Sequence, residues 1–157
     1  MKIEILVIGK TKSEYLRRGI DEYLKRLNHY VQCRIVELPE TKTSVATTES
    51  MQKVNEGKLM MSYFEPSDMV VLLDERGTQP TSREFSQYIQ KQMSSGIKRL
   101  LFVVGGPYGF SDEVYARAQG KISLSRMTFP HDMVRLIFVE QLYRSMTILR
   151  NEPYHHD

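Results

Sequence analysis

Several polar side chains near the carboxyl end of the chain have types and spacings that could do chemistry. His131 and Arg135 are four residues apart, which puts them on one face of a helix. Glu140 and Arg144 repeat that spacing and read as an ordinary ion pair supporting the helix. Ser125 and Thr128 bracket Arg126 in a turn ahead of Pro130, and Tyr154, His155 and His156 stand in a tail beyond the helix. Earlier, Gly105-Gly106-Pro107-Tyr108-Gly109 could offer backbone amides to a ligand, although such a run is equally a tight turn. It is not GxGxxG and lacks the Lys-Ser/Thr of a phosphate loop, which disfavours a dinucleotide or nucleoside triphosphate. No metal constellation is visible. His155 and His156 are adjacent and do not converge as an i, i+4 pair would, and His131 and His29 lack companion ligands at useful spacing. There is no Ser-His-Asp order and no nucleophile elbow. Arg135 lies in an otherwise apolar helix and needs a partner, since an unpaired buried cation is costly. His131, taken alone, is equally a first-turn histidine near a cap.

The elements that position these groups follow from periodicity. Ile3 to Ile8 is a nearly continuous apolar run, the pattern of a strand buried on both faces. Thr11-Lys12-Ser13-Glu14 has the form of a capping box. It is followed by Leu16, Ile20, Tyr23, Leu24 and Leu27 on one helical face. Arg17, Arg18, Lys25 and Arg26 fall on the other, a solvated surface or an RNA-facing patch. Cys33 to Leu38 reads as the second strand and residues 40–48 as a polar loop. Glu49 to Phe64 reads as a helix weakened at Gly57, with Met51, Val54, Leu59, Met60 and Tyr63 as its apolar residues. Met69 to Leu73 is the third strand, ending in a polar turn at Asp74–Gly77. Thr81-Ser82-Arg83-Glu84 is a second capping box. It opens a helix to about Met93 with Phe85, Tyr88, Ile89 and Met93 inward, followed by Gly96 as a cap. Leu100 to Val104 is the fourth strand, Ser111-Asp112-Glu113 starts a short helix, and Lys121 to Leu124 is a last short strand. From His131 onward, Val134, Ile137, Phe138, Leu142, Met146 and Leu149 recur at helical spacing. Met133, Leu136, Val139 and Tyr143 make the apolar arc wider than a surface helix needs. In a chain of 157 residues that breadth points to a second subunit.

Alternating strands and helices, with strands apolar on both faces, predict an α/β fold with a mostly parallel sheet flanked by helices. Its length suits a single domain over residues 1–157. Ligands of such sheets sit beyond the carboxyl ends of the strands. Three loops occupy that edge: Leu73–Gly77, Gly105–Gly109 and Leu124–Phe129. At 41% hydrophobic and 26% charged residues the composition is that of a soluble globular protein. The single cysteine, Cys33, excludes a disulfide framework, favours a reducing compartment and reads as a small buried hydrophobe. The first residues resemble neither a signal peptide nor a membrane span, so a cytoplasmic location is expected. The net charge of +3 permits an RNA partner without demanding one.

Five segments taken together resemble one family. They are Gly105–Gly109, Ser123-Leu-Ser-Arg-Met-Thr-Phe-Pro-His131, Val134-Arg135, Glu140-Gln-Leu-Tyr-Arg144 and Asn151-Glu-Pro-Tyr-His155. The chain is similar over essentially its whole length to the RlmH family, the ribosomal large-subunit pseudouridine N3-methyltransferases of the SPOUT superfamily. The resemblance implies a C-terminal trefoil knot and a homodimer through the last helix. It implies S-adenosylmethionine held by Leu73, Gly105, Leu124, Ser125, Arg126, Met127, Thr128 and Phe129, on the three loops already placed along the ligand edge. The implied partner is 23S rRNA in the assembled ribosome, with neither membrane nor metal involved. Within that reading Arg135 would stabilise charge developing on the base. His155, an imidazole with an ordinary pKa of about 6.5, would accept the ring proton, and Tyr154 would order or stack on the base. His131 would face the substrate or order a loop. The tail is expected to be mobile until the ribosome binds. Two other classes compete: a non-catalytic dimeric RNA- or ribosome-binding factor of the same fold, and a Rossmann-type oxidoreductase, which the missing GxGxxG disfavours.

Overall fold

The computed structural model describes residues 1–156. Strands and helices follow one another as β1 (Lys2–Ile8), α1 (Glu14–Leu27), β2 (Cys33–Leu38), α2 (Glu49–Tyr63), β3 (Met69–Thr78), α3 (Ser82–Ser94), β4 (Arg99–Val104), α4 (Asp112–Arg117), β5 (Gly120–Ile122) and α5 (His131–Leu149). The five strands form one sheet in the order β2-β1-β4-β3-β5, and every strand pairing is parallel. β1, β4 and the first half of β3 are apolar at most positions because both faces of the sheet are covered there, whereas the edge strand β2 and the second half of β3 carry polar residues. Ile3, Ile5, Val71, Leu100 and Phe102 point to the face packed by α1, α3 and α5. Leu6, Val70, Leu72, Leu101 and Val103 point to the other, under Met60 of α2 and Val114 of α4. Phe102 lies edge-on to Phe138 of α5 at 4.7 Å between ring centroids, and Phe85 of α3 joins them at 5.9–6.2 Å.

Helix α5 packs against both α1 and α3. Its broad apolar arc is therefore largely covered within the chain, with Phe138, Val139, Leu142 and Met146 buried and Met133, Val134, Leu136 and Ile137 half-buried. Breadth alone does not require a second subunit.

The structure corrects several expected details. The first capping box does not form: α1 starts at Glu14 and Ser13, at its N-cap, makes no side-chain cap bond. Thr11 is instead buried beneath Arg135. The second box forms in full between Thr81 and Glu84. Asp74–Gly77 is not a turn. It prolongs β3, which shifts register after Leu73 and meets Ile122 again at Thr78. Gly77 is needed there, because a Cβ would lie 2.6 Å from the backbone of residues 121–122. Met93 is exposed, since the buried stripe of α3 runs Phe85, Ile89, Gln92. In α2, Met51 and Val54 face outward while Glu56, Gly57 and Met60 are buried. Gly57 lets α2 approach α4, as a Cβ there would come within 2.3 Å of Ser111 Oγ. The last strand stops at Ile122, two residues short of Leu124.

Candidate functional site

Strand register brings the three edge loops together. Leu73 pairs with Val104 on one side and Ile122 on the other, so the loops after β4 and β5 leave the sheet level with Leu73, from which β3 itself runs on to Thr78. The segment after β5 is held by short-range bonds. Ser123 N–H donates to Thr78 O at 2.8 Å, Ser123 Oγ–H to Ser125 O at 3.0 Å, and Met127 N–H to Ser125 Oγ at 2.9 Å. Leu73, Asp74, Glu75, Ile122, Val134 and residues 124–129 enclose a cavity of about 160 Å³. Leu73, Leu124, Ser125, Arg126, Met127, Thr128 and Phe129 thus share one cavity.

Gly105 lines a neighbouring cavity of about 640 Å³, together with Gly106, Pro107, Pro130, His131, Arg135 and Glu56. Phe129, in the wall of the smaller cavity, is followed in the chain by Pro130, in the wall of the larger. Small residues are obligatory here. A Cβ on Gly105 would press on the Phe110 ring at 3.1 Å, and one on Gly106 would lie 2.2 Å from Glu56 Oε2.

His131 is exposed at the first turn of α5, on the rim of the larger cavity. Arg135, on the same face, is 3% exposed and is committed inward. It donates through Nη1 to Gly9 O and Thr11 Oγ1, both at 3.1 Å, and through Nη2 to Ile8 O at 2.8 Å. Burial pushes its pKa below the usual guanidinium range, against the pull of Asp132, Glu37 and Glu40. These bonds pin the loop after β1 from the wall of the larger cavity.

The tail is docked rather than free. Asn151 adopts φ 56°, and Glu152 N–H donates to Thr147 O at 2.9 Å, turning the chain back along α5. The Tyr30 hydroxyl donates to Glu152 at 2.6 Å. Tyr154 lands on the Glu140–Arg144 pair: its hydroxyl donates to Glu140 Oε1 at 3.0 Å, and its ring lies 4.8 Å beneath the Arg144 guanidinium. Arg144 donates to the same Glu140 oxygen at 2.6 and 3.1 Å and reaches His155 Nδ1 at 3.1 Å. Arginine only donates, so His155 Nδ1 accepts and the imidazole proton sits on Nε2. Burial and the bonds to Tyr23 and Glu140 hold the Tyr154 phenol well above its ordinary pKa, so it stays protonated even in alkaline solution. Glu140 and Arg144, which looked like helix support, are the centre of this cluster. The structure brings Tyr154 and His155 to them and not to His131 or Arg135. The thirteen steps from His131 to Arg144 rise about 20 Å along the helix.

Among the described residues no group of three His, Cys, Asp or Glu is placed to hold a metal, and no helix is long and apolar enough to cross a membrane. The fold and the sequence find counterparts in known proteins. A solved structure of a probable methylase family protein from Haemophilus influenzae superposes on 99% of this chain and 70% of its own with a TM-score of 0.54 and 10% identity, a likeness of fold. The ribosomal RNA large subunit methyltransferase H of Christiangramia forsetii is 55% identical over 156 residues, covering 99% of each chain. The protein of that name from Parabacteroides distasonis is 53% identical over 157 residues, the whole of both chains. The family model described as a predicted SPOUT methyltransferase matches residues 1–155, loops, last helix and docked tail together, so this chain belongs to the SPOUT methyltransferases.

Proposed function

We propose that this methyltransferase moves a methyl group from S-adenosylmethionine to N3 of a pseudouridine in 23S rRNA of the assembled ribosome, as a cytoplasmic homodimer. The observation that carries the reading is the pair of adjoining cavities at the carboxyl edge of the sheet. The smaller is apolar at Leu73, Leu124 and Phe129 and ringed by loop backbone, which suits the flat adenosine end of the donor. At about 160 Å³ it is too small for the whole molecule. The remainder is assigned to the larger cavity, whose wall continues the chain from Phe129 into Pro130. The two glycines keep clear the space that side chains would fill. When bound, S-adenosylmethionine supplies an activated methyl. The protein then has to present N3 in line with it and stabilise charge on the base as the proton leaves, and placement alone contributes several kcal/mol.

The tail cluster suits the second task. Arg144 is the cation there, Tyr154 stays protonated, and the Nε2–H of His155 is a donor. His155 could accept a proton at Nδ1 only by losing its bond to Arg144. The cluster stands at the far end of α5 from its own chain's donor cavity. A two-fold partner packed along α5 brings one subunit's cluster to the other's cavity, so that each site is shared. The docked Tyr154 and His155 form that surface before any RNA arrives.

Two measurements test this. Large-subunit rRNA from cells lacking the protein is expected to miss one methyl on a pseudouridine by mass spectrometry. Purified protein is expected to methylate assembled ribosomes well and naked rRNA poorly, because a domain of this size and charge +3 reads little RNA sequence alone. Full methylation in the deletion strain, or efficient turnover on a short hairpin, would overturn the substrate. A third measurement addresses the donor. Gly105→Ala presses on the buried Phe110 ring and is expected to cost roughly 1–3 kcal/mol of stability, seen in the unfolding transition, and to weaken S-adenosylmethionine binding several-fold by calorimetry on the folded variant.

A further inference from the structure

Glu56 is 3% exposed and has no part in the chemistry described so far. It is a buried acid on a helix whose neighbouring residues Met51 and Val54 face outward, an inversion of the usual arrangement. Its Oε1 accepts from Gln52 Nε2 at 3.1 Å. Among the described residues no donor reaches Oε2. The carboxylate lines the larger cavity, and its Oε2 lies where a side chain at 106 would begin, so the absence of a Cβ on Gly106 is what makes room for it. Burial pushes its pKa up, while Gln52 and the charge of His131 pull it down. The carboxylate is largely shielded from solvent and opens only on the cavity, so a cationic donor arriving there meets a carboxylate with a single protein donor, Gln52.

We propose that Glu56 receives the α-ammonium group at the amino-acid end of the methyl donor. The inference rests on the S-adenosylmethionine reading above. The donor carries two positive centres, but its sulfonium has no N–H, whereas the ammonium brings three hydrogen-bond donors to an oxygen that has none. RNA is the wrong occupant for this corner, since a phosphate would be repelled by the buried carboxylate. The opposite charge of the amino-acid end has counterparts in Lys10 and Lys12, which line the same cavity.

Calorimetry on wild type and Glu56→Gln with three ligands tests the assignment. S-adenosylmethionine carries both positive centres, S-adenosylhomocysteine keeps the ammonium without the sulfonium, and 5′-methylthioadenosine has neither. A charged hydrogen bond of the usual strength predicts a roughly 10- to 100-fold loss for the first two and a change within about twofold for the third. Retained binding of 5′-methylthioadenosine also shows that the variant is folded. Equal losses for all three ligands would overturn the proposal, reducing Glu56 to a spacer beneath the Gly105–Gly106 turn. A loss for S-adenosylmethionine alone would overturn it in favour of the sulfonium, and no loss for any ligand would overturn it outright. Wild type binding none of the three would take down the donor reading itself, a result distinct from wild type binding all three and the variant matching it.

Discussion

Mixing Arg144→Ala subunits with Thr128→Trp subunits is expected to restore methyl transfer to about a quarter of the wild-type rate, although each variant alone is nearly inactive. Arg144→Ala removes the cation that holds Glu140, His155 and the ring of Tyr154 in one cluster. The loss of one such charge-stabilising group typically costs about 100- to 1000-fold in rate. Donor binding should survive, because Val134 and Arg135, the cavity-lining residues of α5 nearest Arg144, lie roughly 15 Å from it along the helix. Thr128→Trp does the reverse: it places an indole on the wall of a cavity of about 160 Å³, blocking the donor while leaving the tail cluster whole. If each site joins one subunit's cavity to the other's tail, a mixed dimer has one site with both parts intact and one with neither. Random exchange makes about half the dimers mixed, hence about a quarter of sites active. Native mass spectrometry verifies exchange, and a radiolabelled methyl-transfer assay reads the recovery. Mixed dimers that stay inactive would sink the shared site, as would a wild-type protein that remains monomeric at assay concentrations.

The parts of this picture visible in the sequence are those carried by continuous local patterns. The four main strands announce themselves as apolar runs because helices cover both sheet faces, and that same fact fixes the carboxyl edge as the place for a ligand. The loop residues 124–129 share a cavity with Leu73 because parallel register puts the ends of β3 and β5 side by side, a consequence of the fold class. What stayed hidden depends on contacts distant in sequence. The partners of Arg135 are backbone groups up to 127 residues away, and backbone carbonyls leave no mark in a sequence. Glu140 and Arg144 have the commonest surface-pair spacing. Only the reversal at Asn151 brings Tyr154 and His155 onto them. Asp74–Gly77 looked like a turn because its residues are polar, yet a strand leaving the core at a register shift has no reason to stay apolar. Met93 failed by helical phase: once Phe85 and Ile89 face the sheet, the next inward position is 92.

A last case of a buried charge inside an apolar run supplies the largest expected effect on stability. Glu4, within β1, is 1% exposed, and Asp68, just before β3, is 2% exposed. Arg99 at the start of β4 joins them: it donates to Glu4 Oε2 at 3.1 Å and grips both oxygens of Asp68. Glu4 has further partners in Arg34 at 2.9 Å and the Tyr63 hydroxyl at 2.5 Å, whereas the Asp68 side chain depends mainly on Arg99. Burial would raise both acids, but these partners outweigh it and hold both pKa values below their ordinary 4.5 and 3.8. Arg99→Leu leaves two buried carboxylates short of a cation, which costs about 3–5 kcal/mol and lowers the melting temperature by roughly 10 °C. The pH dependence separates this cause from simple loss of packing. In wild type, acids with depressed native pKa values add stability that is complete above the unfolded-state values near 4 and is lost as pH falls through the native ones. In Arg99→Leu, burial of Asp68 is no longer outweighed, its native pKa rises, and protonation relieves the folded state. The stability gap between the two proteins should therefore be widest near pH 7, begin to narrow as pH falls through the raised native pKa of Asp68 in the variant, above its ordinary 3.8, and go on narrowing below it as the wild type loses its own contribution. Urea midpoints measured from pH 7 to pH 3 read it directly. A gap that stays constant across that range would mean that Arg99 contributes packing rather than charge.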